Sequence, residues 1–325
     1  MSWNFYWGST VLNEMIFTAD SVDFAEYASE PHDKDKIVAP KAYRDETIAL
    51  LSGGEMVSGA RLPWLKTHDH IRFRPGEVSL WMGINGHGKS LLTSHVMLDF
   101  LHQNQKVCVA SFEMKPRATL ARMCKQAAGS SMPTARFVDG VLSHATNRLW
   151  LYDKMGQTDP NHLLAIMRYA AKKLGVQHFV IDSLMKVVKG EDDYNGQKNF
   201  VDSVCAFALD FNIHVHIIHH SRKLGDEMQV PGKMDAKGSG AIVDQVDQCF
   251  TVWRNKRKEQ QIQAGKEVDE GSPDALLVCD KNRHGDWEGR VGLFYQSGAC
   301  SYSQSPTNKT YYNYDRYMSS EGVEI

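Results

Sequence analysis

The octet GINGHGKS, Gly83 to Ser90, closes a glycine-rich run on a lysine and a serine. Its spacing is G-x-x-x-x-G-K-[ST], with Gly83, Gly88, Lys89 and Ser90 at the defining positions. In such a loop the backbone N–H groups converge on the α- and β-phosphates of a nucleotide. The lysine reaches the β- and γ-phosphates, and the serine hydroxyl ligates Mg²⁺. Asn85, Gly86, His87 and Leu91 complete the stretch expected to touch ATP or another NTP. The motif counts only between a strand and a helix. GEVSLWMG before it is an apolar run of strand formers, and KSLLTSHVMLDFLHQ after it sets Leu91, Leu92, Val96, Met97 and Leu101 on one helical side. A helix N-terminus with its orphan N–H groups then faces the anion. A plain left-handed turn is the bland reading, and this context argues against it.

A phosphate loop needs a carboxylate on the Mg²⁺ side and a base to orient the attacking water. VIDS places Asp182 at the end of an apolar strand, and SFEM places Glu113 at another. Open α/β sheets keep their ligand residues at such ends. Either acid alone could be a solvated strand terminus; together, after a phosphate loop, they read as the metal-side acid (Asp182, with Ser90) and the general base (Glu113). IHVHIIHH ends in His219 and His220. Period-2 alternation lets only one of them face a nucleotide. No acid completes a metal triad there by motif, so zinc is not expected.

These residues require strands and helices to hold them. KVCVASFEM, NRLWLYDK, VQHFVIDS and IHVHIIHH read as buried strands; RATLARMCKQAAG, TDPNHLLAIMRYAAKKLG and GQKNFVDSVCAFALDF read as helices between them. Asp159 is the expected N-cap of the middle one, Pro160 its first residue and Gly175 its stop. Alternation of this kind makes a parallel sheet covered on both faces. QCFTVWRNK, DALLVCDKNRHG, GRVGLFYQ and ACSYSQ read as antiparallel additions at the edge, and RNKRKEQQIQAGKEVDEGSPD as a polar loop. The expected fold is α/β: a RecA-like P-loop core with a mainly parallel sheet and antiparallel C-terminal edge strands. Residues 1–57 read as an arm or linker, 58–305 as the ATPase domain and 306–325 as a tail.

The totals narrow the class. A chain of 325 residues with 42% hydrophobic and 23% charged residues is globular in composition. A formal net charge of −2 supplies no global field for nucleic acid or acidic lipid, so any such contact must be a local patch. No apolar run nears the roughly 18 residues of a membrane span. The N-terminus lacks a basic signal region, and the six cysteines form no C-x-x-C pair. The expected location is cytoplasmic, in a bacterial or phage-infected cell.

In order along the chain, GINGHGKS, SFEM, FVIDSL, IIHHSRK, AKGSGAIVDQVDQCFTV and LLVCDKNRHGDWEG resemble the DnaB-type ring helicases. The match, over about residues 58 to 303, is nearest the branch of Twinkle and the phage primase-helicases. The resemblance implies a RecA-like core, a homo-hexameric ring, and NTP hydrolysis driving movement along single-stranded DNA and unwinding of forked duplex. It implies catalytic roles for Lys89 and Glu113 and the metal-side role for Asp182, and selects His220 as the γ-phosphate sensor. It also implies that Lys281 and Arg283 act across a subunit boundary, and that Arg254 and Tyr295 pack on the nucleobase. No primase segment is recognisable, so a primase or polymerase partner is expected to be a separate chain. RDETIALLSG is the candidate linker helix.

Rings of this kind hold DNA phosphates from central loops. Two loops offer lysines and arginines: Lys186, Lys189 and Lys198 in the first, and Arg222, Lys223, Lys233 and Lys237 in the second. Acids mixed into both make a solvated face the competing reading. Two other functions remain open on the sequence: a RecA-like DNA-dependent ATPase of recombinase or loader type that does not unwind, and a DNA-independent ATP switch.

Overall fold

The computed structural model describes residues 16–17, 39–52, 59–190, 193–221, 229–236, 240–307 and 312. Its strands are β1 (Ile16–Phe17), β2 (Val78–Met82), β3 (Val107–Ser111), β4 (Leu149–Tyr152), β5 (His178–Asp182), β6 (His214–Ile218), β7 (Gln248–Arg254), β8 (Ala275–Asn282), β9 (Gly289–Gln296) and β10 (Ser301–Ser303). They form one sheet in the order β1-β4-β3-β5-β6-β2-β7-β8-β9-β10. Pairing is parallel from β1 through β7 and antiparallel from β7 through β10. The RecA-like layout expected from the sequence is present, with one correction. QCFTVWRNK is not an antiparallel addition on its inner side: β7 runs parallel to β2, and only β8 reverses direction. An apolar run shows burial, not direction.

The α-helices are α1 (Arg44–Leu51), α2 (Lys89–His102), α3 (Pro116–Ala128), α4 (Ala135–Ala145), α5 (Pro160–Tyr169), α6 (Tyr194–Phe211), α7 (Ala241–Gln245) and α8 (Lys256–Gln263). Side-chain alternation along the strands divides the core in two. Val78, Leu80, Met82, Phe179, Ile181, Val215 and Ile217 pack with Leu163–Met167 of α5 and Phe200, Val204 and Phe207 of α6. Trp81, Val107, Val180 and Ile218 face the other way, onto α2, α3 and α4. Both faces are covered, so every residue of β2, β5 and β6 is buried. Emptying one such position, as in Leu→Ala, costs about 2–5 kcal/mol.

Asp159 caps α5 by accepting from the His162 N–H at 3.0 Å, and Gly175 stops the continuing turn at φ 67°. Two further sequence expectations are corrected. α2 is buried on most of its circumference, with His95, Leu98 and Phe100 enclosed as well as the expected stripe, because β10 and α3 cover what one sheet face leaves open. The polar stretch after β7 is not all loop: α8 forms there, with Asn255 capping the Lys258 N–H at 3.0 Å. Among the described residues no helix is long and apolar enough to cross a membrane.

Candidate functional site

β2 delivers the chain into the GINGHGKS loop and α2 takes it out, as the motif requires. A side chain at Gly83 would run into the Val252 carbonyl of neighbouring β7, so only glycine lets the two backbones approach. Gly88 has φ 85°, and a Cβ there would lie 2.9 Å from the Tyr302 hydroxyl. Ser221 donates its N–H to the Gly83 carbonyl at 3.0 Å, and His219 to Trp81 at 2.9 Å, fastening the end of β6 to the loop. Asn85 and Gly86 are exposed at the tip, His87 is buried, and Leu91 is half-buried. The Lys89 ammonium folds back over the loop, donating to Gly83 O at 2.9 Å and Ile84 O at 3.1 Å. Burial lowers its pKa to about 8, against the raising influence of Asp182 and Glu113.

Asp182 ends β5 beside this lysine. Its carboxylate is buried and accepts from the Ser90 hydroxyl. Burial and nearby Glu113 raise its pKa, while Ser90, Lys89 and Arg122 pull the other way. Glu113, two residues past β3, is nearly half exposed; it accepts from the Ser183 hydroxyl at 3.2 Å and lies 4.0 Å from the Lys186 ammonium. β3 and β5 are neighbours with Ser111 level with Asp182, which is why acids 69 positions apart share one strand edge. Ser90 and Asp182 are hard oxygen donors on one side of the phosphate loop, a donor pair suited to Mg²⁺. Among the described residues no group of three or more His, Cys, Asp or Glu is placed to hold a metal by itself. Arg122 joins the site without a motif to announce it. It stands on α3 within electrostatic reach of Asp182, Cys300 and Tyr295, and with Ser90 and Asp182 it lines a small cavity under the loop. No motif flags it, because tertiary packing alone carries it there.

A second cleft opens on the other flank, lined by Gly88, Leu91, Arg254, Glu259, Asp274, Tyr295 and Tyr302. Arg254 and Tyr295 therefore meet beside the phosphate loop. The Arg254 N–H donates to His87 Nδ1 at 3.2 Å, its guanidinium pairs with Glu259 of α8, and Tyr295 and Tyr302 have ring centroids 5.3 Å apart. Planar groups at such a rim can sandwich a flat ring. Glu259 was not flagged in the sequence, since it lies in the stretch read as loop. His220 follows β6, half-buried, at the same edge of the sheet as Asp182.

Lys281 and Arg283 lie elsewhere. β8 is antiparallel, so its last residues stand level with the start of β7 and, through it, Ser79 and Leu80 near the start of β2. Gly83 is on the order of 13 Å further along, at about 3.3 Å per residue. Lys281 donates to the Val243 and Asp244 carbonyls at 2.8 and 2.9 Å. Arg283 pairs with Asp247 at 3.0 Å and donates to Asp244 O at 2.8 Å. Among the candidate DNA residues, Lys189 and Lys198 are exposed around the β5–α6 turn, and Lys233 lies 3.8 Å from the Glu288 carboxylate. Arg222, Lys223 and Lys237 lie outside the described residues.

A family model described as an AAA domain matches residues 21–226, more than half of the chain. Two solved structures are similar. One is a DnaB-like replicative helicase described with its interactions with primase: 14% identity, TM-score 0.65, covering 82% of this chain and 67% of that one. The other is the ATPase domain of G40P: 14% identity, TM-score 0.66, covering 80% of this chain and 98% of that one. At that identity the likeness is one of fold.

Proposed function

Because this chain belongs to the AAA domain family, and because its fold is that of the ATPase domain of G40P and of a DnaB-like helicase, we propose that it is an NTP-driven DNA helicase motor. It works as a ring of six copies on single-stranded DNA. One observation carries the reading. Lys89, Asp182 and Glu113 gather at one end of the sheet, while Lys281 and Arg283 sit at the other, further from their own phosphate loop than a side chain spans. If these cations serve a nucleotide, it is one held by another copy.

In this mechanism Lys89 leaves the loop carbonyls for the β- and γ-phosphates. Ser90 and Asp182 would hold Mg²⁺, which would neutralise phosphate charge. Glu113 takes the proton of the attacking water, and Ser183 orients its carboxylate. His220 senses the γ-phosphate. Arg254 and Tyr295 clasp the base, with Glu259 steadying the guanidinium. Arg283 of one subunit, with Lys281, stabilises transition-state charge in the next, a contribution on the order of 10³-fold or more. Arginine suits the task because its charge is permanent and its fork matches phosphate oxygens.

DNA is held by phosphate contacts from the loops after β5 and β6, through Lys189, Lys198, Arg222, Lys223, Lys233 and Lys237. α1 is a helix, as RDETIALLSG implies, with Ile48 and Leu51 exposed at 45% and 83%. Such apolar side chains suit docking on a neighbouring subunit. The ATPase unit is proposed to run from about residue 58 to 305.

The test is strand separation on a forked duplex. NTP-dependent unwinding, lost in Lys89→Ala, is expected. DNA-stimulated hydrolysis with no unwinding at any fork would replace this function with that of a DNA-dependent ATPase.

A further inference from the structure

We infer that Asp247 is a positioning residue, joining the strand that carries one subunit's phosphate loop to the arginine which that subunit presents to its neighbour. The inference rests on the reading of Arg283 as a finger acting in trans.

Asp247 lies between α7 and β7. All four of its polar positions are engaged, on two opposite sides. Toward β2, its N–H donates to the Val78 carbonyl at 2.9 Å and its Oδ2 accepts from the Val78 N–H at 2.9 Å. Toward the end of β8, its carbonyl accepts from the Arg283 N–H at 2.8 Å and its Oδ1 pairs with the Arg283 guanidinium at 3.0 Å. His284 Nε2 approaches the same oxygen at 3.6 Å.

The second guanidinium nitrogen rests on the Asp244 carbonyl at 2.8 Å and the Gln245 carbonyl at 3.3 Å, and the Lys281 ammonium rests on Val243 and Asp244. Both proposed trans-acting cations are therefore seated on residues 243–247. The last of these is clamped to Val78, the first residue of β2, and β2 runs straight into the loop that holds Lys89. A shift of β2 when a nucleotide enters would reach the Arg283 guanidinium through this carboxylate, while the backbone route from β2 through β7 to β8 runs beside it. No other described contact of the Arg283 side chain reaches β2.

The chemistry of the side chain makes this testable. A carboxylate accepts on both oxygens, whereas an amide presents one acceptor and one donor. Asp247→Asn must release either the Val78 N–H or the guanidinium. A catalytic group displaced by about 1 Å can lose on the order of 10²-fold in rate.

The experiment is subunit mixing, with hydrolysis and fluorescent-nucleotide binding both read. Arg283→Ala mixed with Lys89→Ala is the reference. Its failure to recover hydrolysis, in subunits shown to mix, would overturn the trans finger itself. With that reference active, Asp247→Asn alone should bind nucleotide and lose hydrolysis on the order of 10²-fold. Mixed with Lys89→Ala, it should recover, because its intact site then meets an intact finger. Mixed with Arg283→Ala, it should not. Near wild-type hydrolysis by Asp247→Asn alone overturns the inference. So does recovery with Arg283→Ala, or no recovery with Lys89→Ala. If Asp247→Asn does not bind nucleotide, the same mixing is done with Asp247→Glu. Loss of nucleotide binding there too overturns the inference, by placing the role of Asp247 in its own subunit's strand.

Discussion

Lys89 concentrates the electrostatics of the site in one atom. Enclosed in its loop, its ammonium has a pKa lowered to about 8 by burial, even with Asp182 and Glu113 beside it. A triphosphate needs the charged form. Below pH 8 the lysine already carries its proton; above it, binding must take one up. Nucleotide affinity should therefore hold up to about pH 8 and then fall, by up to about tenfold per pH unit, with proton uptake visible in calorimetry as a dependence on buffer ionisation. Affinity flat to pH 10 would mean that Lys89 is charged in the empty site. Glu113 makes a separate prediction. Glu113→Gln keeps the acceptor that Ser183 meets at 3.2 Å but cannot take a proton. Nucleotide binding should be retained and hydrolysis should drop by on the order of 10²-fold or more. Turnover near that of the wild type would make Glu113 a strand-end acid only.

The elements hold these residues by placing the ends of three parallel strands around one loop, and the start of β2 has its own titration. Glu77 precedes β2, is only 6% exposed, and has its pKa raised to about 7, chiefly by burial and further by Asp247, against the lowering effect of Arg74. Between about pH 4.5 and 7 the native state holds more protons than the unfolded chain, so stability falls as pH rises through that window and is level above it. The shift corresponds to at most about 3 kcal/mol. Glu77→Gln should remove the slope: melting temperatures of wild type and variant should diverge from pH 5 to pH 7, with the variant gaining. Parallel curves would show that Glu77 ionises freely.

The elements also show how far a sequence can be read. Strands such as β4 and β5 stood out because LWLY and HFVID are buried on both faces and leave no long polar stretch. The direction of β7 did not, since an apolar run looks alike either way up. α8 was hidden for the opposite reason. KRKEQQIQ has a single aliphatic residue, and what fixes the helix is the Asn255 cap and the pairing of Lys258 with Asp274 at 2.8 Å. In the site, the phosphate loop and the two acids could be read because strand ends announce them. Arg122 and Asp247 could not, because their partners lie tens to hundreds of residues away and only sheet order brings them close; Glu259, five residues from Arg254, was hidden because the stretch holding it reads as loop.

For the whole molecule the central claim is that the nucleotide site is finished by a second copy. The monomer is mildly acidic overall, with a formal charge of −2, so a ring would have to concentrate its basic loops toward a central strand for phosphates to be held. The most direct measurement is electron microscopy of the purified protein with a non-hydrolysable nucleotide and single-stranded DNA. The account predicts a closed ring around the strand, with Arg283 of each subunit at the γ-phosphate bound by Lys89 of the next. A protein that stays monomeric under these conditions, or a ring in which Arg283 remains on Asp247 far from every nucleotide, would contradict it.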